Sequence, residues 1–344
     1  MKKIIVMCAA LIMGVSTEVA GNKLSLKDIT SGKFAPKGLG SITALDDGDT
    51  YAQVSKDGKK IVRYSFRTGK QTDVLFDVDN TVGEKISSFE DYIMSPDGSK
   101  LLIQTKSRKI YRRSFTAVYY IYNIGSRKLE KLSDYGPQQS PVWSPDGKQV
   151  AFVRDNNIHL VKLLYGNAES QVTKDGKKNE LINGIPDWVN EEEFGFSTAL
   201  TFNADGTMIC WIKYDEAAVQ QYSLEMFKGS NPEKKEYAEY PGAYTYKYPK
   251  AGQVNSKVAV YSYDIQSHQT RKLQVPLDAD GYIPRLYATK DAQKMIVYTF
   301  NRHQNQLCLY AVNPRSTVAQ LLIKETNEKY VPEEAMANIK ITGN

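Results

Sequence analysis

The chain has few of the side chains on which most thiol enzymes and zinc enzymes depend. Its 344 residues include three cysteines and three histidines. No histidine stands in an HExxH motif and no CxxC pair is present, so neither a metal site nor a cofactor is expected. Cys210 and Cys308 each lie in an apolar strand pattern, which predicts two buried free thiols. An oxidising compartment would permit a bridge between them, but two cysteines make no disulfide framework.

Motifs of nucleophilic and phosphate chemistry are also missing. Residues 14–16 and 195–197 begin like a GxSxG nucleophile elbow but lack its closing glycine. No glycine-rich loop of Walker or Rossmann spacing is present. The three histidines lie in separate repeats, so a self-contained Ser-His-Asp triad is not expected. These 344 residues are therefore expected to perform no covalent catalysis by themselves.

The chain has no strong charge of one sign and, beyond its start, no long apolar run. The formal net charge of +6 is spread without a long Lys/Arg block, so no nucleic-acid partner is expected. Hydrophobic residues make up 41% and charged residues 24%, which are globular values. No integral membrane span is expected, because no later apolar stretch approaches the length that crosses a bilayer.

The N-terminus has the three-part pattern of a secretory signal. Lys2 and Lys3 precede a mostly apolar stretch at residues 4–15, and small or polar residues follow. We therefore expect residues 1–21 to be a signal peptide and the chain to be exported, either to the periplasm or out of the cell. Cys8 lies inside the apolar stretch, which argues against anchoring as a lipoprotein.

A recurring turn and an abundance of tyrosine indicate β-structure. Tyrosine, with 23 copies against 11 of phenylalanine, suits half-buried pleated surfaces. Turns with Asp at the third position and, in most cases, Gly at the fourth suit a type I turn followed by a residue at positive φ. They stand at residues 55–58, 95–98, 144–147, 173–176, 203–206 and, in degenerate form, 289–292. Strand patterns follow most of these turns at a spacing of roughly 40 to 60 residues, which predicts an all-β propeller of about five to seven four-stranded blades.

One short helix is predicted at residues 186–194, where Asp187 can cap the N-terminus and acidic residues suit the first turn. Its acidic run, which includes Glu192 and Glu193, has two interpretations. It is either a solvated acidic turn or a receptor for the ammonium group of a ligand. Arg112 and Arg113 likewise belong either to a plain surface hairpin or to a site that holds a carbonyl or carboxylate of the same ligand.

Several segments, taken in order, resemble the dipeptidyl peptidase IV family of serine exopeptidases. The similarity runs from about residue 24 to the end of the chain, and it is carried by residues 112–117, 142–147, 183–194, 248–252, 282–285 and 301–305. In that family an eight-bladed N-terminal propeller caps an α/β-hydrolase domain. The resemblance implies that residues 22–344 form an incomplete propeller of this type. It also implies that Glu192 and Glu193 bind the free N-terminus of a peptide and that Arg112 holds a backbone carbonyl.

The resemblance further implies that the catalytic Ser, Asp and His belong to a hydrolase domain that this chain does not contain. The expected function is substrate recognition for a peptidase that releases N-terminal X-Pro or X-Ala dipeptides. Expected partners are peptides with a free N-terminus, the hydrolase domain and, in the complete protein, a second copy. The alternative is a non-catalytic, stand-alone propeller that serves as a binding or scaffold module. Asn190, where the family usually has Tyr, marks this sequence as a divergent member.

Overall fold

The computed structural model describes residues 24–341, except residues 37, 39, 231, 232, 338 and 340. The expected signal peptide therefore lies outside the described residues. None of the helices described here has both the length and the apolar character that crossing a bilayer would require.

The chain divides into two compact units, Met1–Ile42 and Thr43–Asn344. In the first unit, helix α1 (Leu26–Thr30) begins with a capping box. The hydroxyl of Ser25 accepts a hydrogen bond from the backbone N–H of Asp28, and the Asp28 carboxylate accepts one from the N–H of Ser25. This reciprocal pair satisfies backbone donors that a short helix leaves free.

The second unit is a succession of blades in chain order, each a sheet of four or five strands, with one two-stranded sheet inserted. The first blade contains β1 (Thr43–Ala44), β2 (Thr50–Val54), β3 (Lys60–Ser65) and β4 (Gln71–Asp77), and the second contains β5 (Val82–Gly83), β6 (Asp91–Met94), β7 (Lys100–Lys109), β8 (Phe115–Asn123) and β9 (Lys128–Lys131). The third contains β10 (Gln139–Trp143), β11 (Gln149–Arg154), β12 (Asn157–Lys162) and β13 (Ala168–Gln171). Neighbouring strands are antiparallel, except that β5 pairs in parallel with β9.

Two further blades follow, and the fourth contains an inserted helix and an inserted hairpin. The elements are β14 (Leu181–Asn183), α2 (Trp188–Phe194), β15 (Leu200–Phe202), β16 (Met208–Asp215), β17 (Gln221–Met226), β18 (Gly242–Lys247), β19 (Lys257–Asp264), β20 (Thr270–Lys272), β21 (Tyr282–Ala288), β22 (Met295–Phe300), β23 (Gln306–Val312), β24 (Ala319–Thr326) and α3 (Glu334–Ala337). The fourth blade has the order β14-β16-β19-β20 with β15 also on β16, and the fifth has the order β21-β22-β23-β24. The described residues thus form five blades, within the range that the sequence predicts.

The predicted turn joins the first two long strands of a blade through side-chain hydrogen bonds. In the second blade, the Ser95 hydroxyl donates to the Asp97 carboxylate at 2.5 Å and accepts from the backbone N–H of Lys100 at 2.9 Å. Gly98 has the expected positive φ of 66°. Burial works against ionisation of Asp97, but hydrogen bonds from Ser95 and Ser99 hold the pKa of Asp97 well below its usual range.

The prediction of the same turn at residues 173–176 is wrong. Gly176 does not have a positive φ, and the segment connects the third blade to the fourth instead of joining strands within one. The reason is the buried side chain of Asn157, whose Oδ1 accepts from the backbone N–H of Gly176 at 2.9 Å and from the Thr173 hydroxyl at 3.2 Å. Asp175 points to Lys213 and Asn183.

Apolar side chains of adjacent blades meet in shared clusters. One cluster joins Ile158 of the third blade, Trp211 of the fourth and Val297 of the fifth. Burying each such side chain contributes roughly 1.5–3 kcal/mol, so the blades stabilise one another. Cys210 and Cys308 are buried and free, as predicted, and burial raises the pKa of Cys210 to about 12.

The inserted hairpin of β17 and β18, called the arm below, was not predicted. It extends between β16 and β19 and forms a sheet of its own. Its register places Tyr222 opposite Tyr246 and Leu224 opposite Tyr244. A lone two-stranded sheet is marginally stable in water, so packing against neighbouring elements has to hold it in place.

Candidate functional site

Helix α2 presents the acidic run, and its cap confirms the prediction from the sequence. The Asp187 carboxylate accepts from the backbone N–H of Asn190 at 2.9 Å and from the Asn190 side-chain amide at 2.8 Å. The Ser256 hydroxyl donates to the other carboxylate oxygen. Asp187 is buried, and this burial raises its pKa despite the hydrogen bonds. Gly195, at a φ of 71°, ends the helix in the left-handed conformation.

The loop between β7 and β8 carries Arg112 and lies against α2. Glu191, which is 1% exposed, accepts hydrogen bonds at Oε1 from the backbone N–H groups of Arg113 at 2.7 Å and Ser114 at 2.9 Å. Its second oxygen, Oε2, is buried without a partner among the described residues. Glu191 therefore fastens the loop to the helix, a role that was not predicted from the sequence.

Arg112 and Glu192 form a two-pronged ion pair next to this attachment. Arg112 Nε lies 2.9 Å from Glu192 Oε2, and Arg112 Nη2 lies 2.7 Å from Glu192 Oε1. The hydrogen bonds from Arg112 lower the pKa of Glu192, so this carboxylate is ionised at neutral pH. The Arg112 side chain is 69% exposed and that of Glu192 is 25% exposed, so solvent reaches both groups.

Glu193 follows on the helix and is exposed. Within the described part of the chain it makes no ion pair, and Arg112 binds its neighbour Glu192 instead. Glu333, from the segment before α3, lies near enough for the charge of Glu193 to add to the effect of burial in raising the pKa of Glu333. The structure thus brings two of the three predicted site residues into contact and leaves the third open to solvent beside them.

A cluster of aromatic rings supports both site elements, and the sequence analysis missed it. Tyr246 of the arm lies 5.7 Å, between ring centroids, from Tyr111 of the β7–β8 loop and also 5.7 Å from Trp188 of α2. Trp188 stacks on Tyr248 at 4.1 Å. The alternation of Tyr244, Tyr246 and Tyr248 along one strand direction is the signal that could have revealed it, since alternate residues share one face.

The fold defines the class of protein: an all-β propeller built from blades of four or five strands. Residues 95–343 match the family described as "Dipeptidyl peptidase IV (DPP IV) N-terminal region". The chain therefore belongs to this family, which confirms the resemblance seen in the sequence.

Relatives and solved structures agree with this assignment. A probable dipeptidyl-aminopeptidase B of Emericella nidulans is 32% identical over 322 residues, covering 88% of this chain and 35% of the relative. One from Aspergillus terreus is 29% identical over 333 residues, covering 90% of this chain and 36% of the relative. The chain thus spans about a third of the length of these relatives.

Among solved structures, the crystal structure of Porphyromonas gingivalis dipeptidyl peptidase 4 matches with a TM-score of 0.87 and 38% identity. The match covers 93% of this chain and 44% of that chain. A putative dipeptidyl aminopeptidase IV from Bacteroides ovatus, at a TM-score of 0.57 and 19% identity, shows likeness of fold alone. These matches confirm the all-β propeller fold.

Proposed function

We propose that this chain is the substrate-recognition part of a dipeptidyl-peptidase-IV-like serine peptidase. In this proposal Glu192 and Glu193 bind the free N-terminus of a peptide, and Arg112 holds a carbonyl of the peptide backbone. The observation that supports it most is the exposed ion pair of Arg112 with Glu192, with the open carboxylate of Glu193 next to it. The two carboxylates complement the positive charge and the N–H donors of a peptide's ammonium group, and the arginine can donate to its backbone carbonyl.

The chemistry of the pair suits a ligand that joins it. Arg112 uses Nε and one Nη2 donor for Glu192, and a guanidinium has five N–H donors, so others are free for a carbonyl oxygen. An ammonium group has three donors, enough for both carboxylates. Because an exposed ion pair contributes only about 0–1 kcal/mol, rearranging it around a ligand costs little.

Joined to an α/β-hydrolase domain, such a site would set the distance between the peptide's N-terminus and the bond that is cleaved. The carboxylates stop the peptide's ammonium group, so that only the bond two residues further on reaches the nucleophile. The complete protein would then release N-terminal X-Pro or X-Ala dipeptides, and the hydrolase domain and a second copy would be its partners. We also propose that residues 1–21 direct export to the periplasm or the exterior.

Calorimetric titration with the dipeptide Ala-Pro tests the recognition role. We expect Glu192→Ala, Glu193→Ala and Arg112→Ala each to lose roughly 2–3 kcal/mol of binding, about 30- to 150-fold in affinity. Glu130→Ala is the matched control, because Glu130 is an exposed carboxylate paired with Lys128 at 2.7 Å, away from the site.

N-acetyl-Ala-Pro, which lacks the ammonium group, is the ligand control and should bind as weakly as Ala-Pro binds the glutamate variants. Equal binding of the acetylated and free dipeptides would contradict the proposal. No binding of either would favour the alternative, a stand-alone scaffold propeller.

A further inference from the structure

A separate cavity of about 450 Å³ lies behind the β7–β8 loop. It is enclosed by this loop, by the connection between the third and fourth blades, and by the arm. The residues that line it include Ile182 and Ile185 together with Tyr111, Tyr244 and Tyr246. Arg112, Glu192 and Glu193 are not among the described residues that line it, so it is distinct from the proposed peptide site.

Glu216, which directly follows β16, is one of the residues that line this cavity. The residue is 6% exposed, and none of the ion pairs between described residues includes it. Lys247 is the cation whose charge acts on it. However, the ammonium of Lys247 donates to the backbone carbonyls of Ala217 at 3.1 Å and Val219 at 2.7 Å.

Such a carboxyl is costly to bury, because a charge removed from water needs a partner to compensate for lost hydration. The backbone N–H of Asn179 supplies part of that compensation, while the charge of Asp187 opposes it. Burial is the main reason why the pKa of Glu216 is raised to about 7. No cation among the described residues pairs with the Glu216 carboxyl. A cation from solvent could reach it through the cavity.

The walls suit an organic cation better than a bare ion. Tyrosine rings attract cations at their faces, and the two isoleucines offer an apolar surface to a carbon skeleton. The other charged residues that line the cavity are exposed or already paired: Lys177 pairs with Glu180 at 2.5 Å, and Lys178 and Asp155 are exposed to solvent. The volume lies within the usual range of small-molecule sites.

We propose that this cavity binds a small organic cation. An ammonium or guanidinium group on a compact apolar carrier would donate to the Glu216 carboxylate and lie against the tyrosine rings. The proposal does not depend on the peptide site, since the two sites share no charged residue.

The test is a calorimetric titration of the full chain with benzylamine and with phenylguanidine at about pH 8, where a carboxyl of pKa about 7 is mostly ionised. The titration uses the Glu192→Ala/Glu193→Ala double variant, so that binding of the amine at the peptide site does not contribute. We expect saturable binding of at least one cation with a dissociation constant of about 1 mM or below. Benzyl alcohol, the neutral analogue, should bind at least about tenfold more weakly.

Adding Glu216→Gln should weaken cation binding at least about tenfold, because the amide keeps the shape and loses the charge. Glu180→Gln is the matched control, because it removes a carboxylate that pairs with Lys177 and does not line the cavity, and it should leave cation binding unchanged. Tyr244→Leu provides a second variant, independent of the acid, and should weaken binding a few-fold through loss of one ring.

Three results would overturn the proposal: no saturable binding of either cation, equal binding of benzyl alcohol, or unchanged affinity in a folded Glu216→Gln variant. Because all variants keep the changes at Glu192 and Glu193, these outcomes do not depend on whether the peptide site binds Ala-Pro.

Discussion

Two Arg–Glu pairs in this propeller have the same chemistry and opposite surroundings. The pair of Arg112 and Glu192 is 69% and 25% exposed, whereas the pair of Arg154 and Glu169 in the third blade is 12% and 9% exposed. The buried Arg154 also donates to the Ser133 hydroxyl at 2.9 Å and contacts His159 Nδ1 at 3.1 Å.

The difference shows what each pair can do. The donors of Arg154 are engaged on several sides, and the rings of Phe152 and Tyr135 lie within 6 Å of its guanidinium. Burial, with the charge of Arg154, lowers the pKa of His159, so the imidazole stays neutral and can accept from the arginine. A buried pair held by several partners is fixed in one geometry, while an exposed pair with unused donors can accept a ligand.

The largest effect is expected from Glu169→Ala, which leaves the Arg154 guanidinium buried without its carboxylate. We expect the free energy of unfolding to fall by about 3–5 kcal/mol, because an uncompensated buried charge is costly. Urea unfolding followed by circular dichroism measures it. Glu192→Ala serves as the matched exposed variant, and a similar loss of stability in both would show that burial does not distinguish the two pairs.

Glu216 is a buried carboxyl that pairs with no arginine among the described residues. The folded pKa of Glu216 is about 7, above its ordinary value of 4.5. The folded state therefore holds the proton more tightly, and stability present below about pH 4.5 is lost as pH rises through 7. Glu216→Gln cannot ionise, so it should gain stability relative to the native chain between pH 5 and 8, by up to about 3 kcal/mol.

Urea unfolding of both proteins at the two pH values measures this gain. The raised pKa of Asp187 acts in both proteins and largely cancels in the difference. A constant difference between the two chains across this pH range would contradict the expectation.

Glu191→Ala tests a buried carboxylate that serves backbone donors instead of a cation. The backbone N–H groups of Arg113 and Ser114 would lose their acceptor, at a cost of about 1–3 kcal/mol in unfolding free energy. Arg112 would also lose its support, so affinity for Ala-Pro should fall, although Glu191 itself is buried away from solvent. Unchanged peptide affinity would show that the loop holds its position without this attachment.

The smallest effect on stability is expected from Arg112→Ala. Because the pair with Glu192 is exposed, the unfolding free energy should change by less than about 1 kcal/mol, and high salt should remove the difference. Unfolding curves at low and high salt provide the measurement. A loss as large as that of Glu169→Ala would mean that the exposed pair, too, stabilises the fold.

The sequence predicted the blades and helix α2 because their signals are local. Asp-Gly turns and the cap at Asp187 act within a few residues, so spacing reveals them. The error at residues 173–176 arose because Asn157, which precedes Thr173 by 16 residues and Gly176 by 19, takes the hydrogen bonds of that segment. Turn propensity carries no information about such a partner.

The site was only partly predictable for a similar reason. The sequence does not distinguish Glu191, Glu192 and Glu193 from one another, but successive residues on a helix point in different directions. Packing against the β7–β8 loop buries the first, pairs the second with Arg112 and leaves the third in solvent. The pairing of Arg154 with Glu169 likewise depends on strand register across a blade, which composition does not reveal.

The stacking of Trp188 on Tyr248 gives the molecule an internal optical reporter. Of the three tryptophans, Trp211 is buried and bonded to Asn183, and the indole of Trp143 donates to the Ile93 carbonyl at 3.3 Å. Trp188 alone sits at the junction of helix α2 with the aromatic rings of the arm. Its emission therefore registers any displacement between arm and helix, without an attached dye.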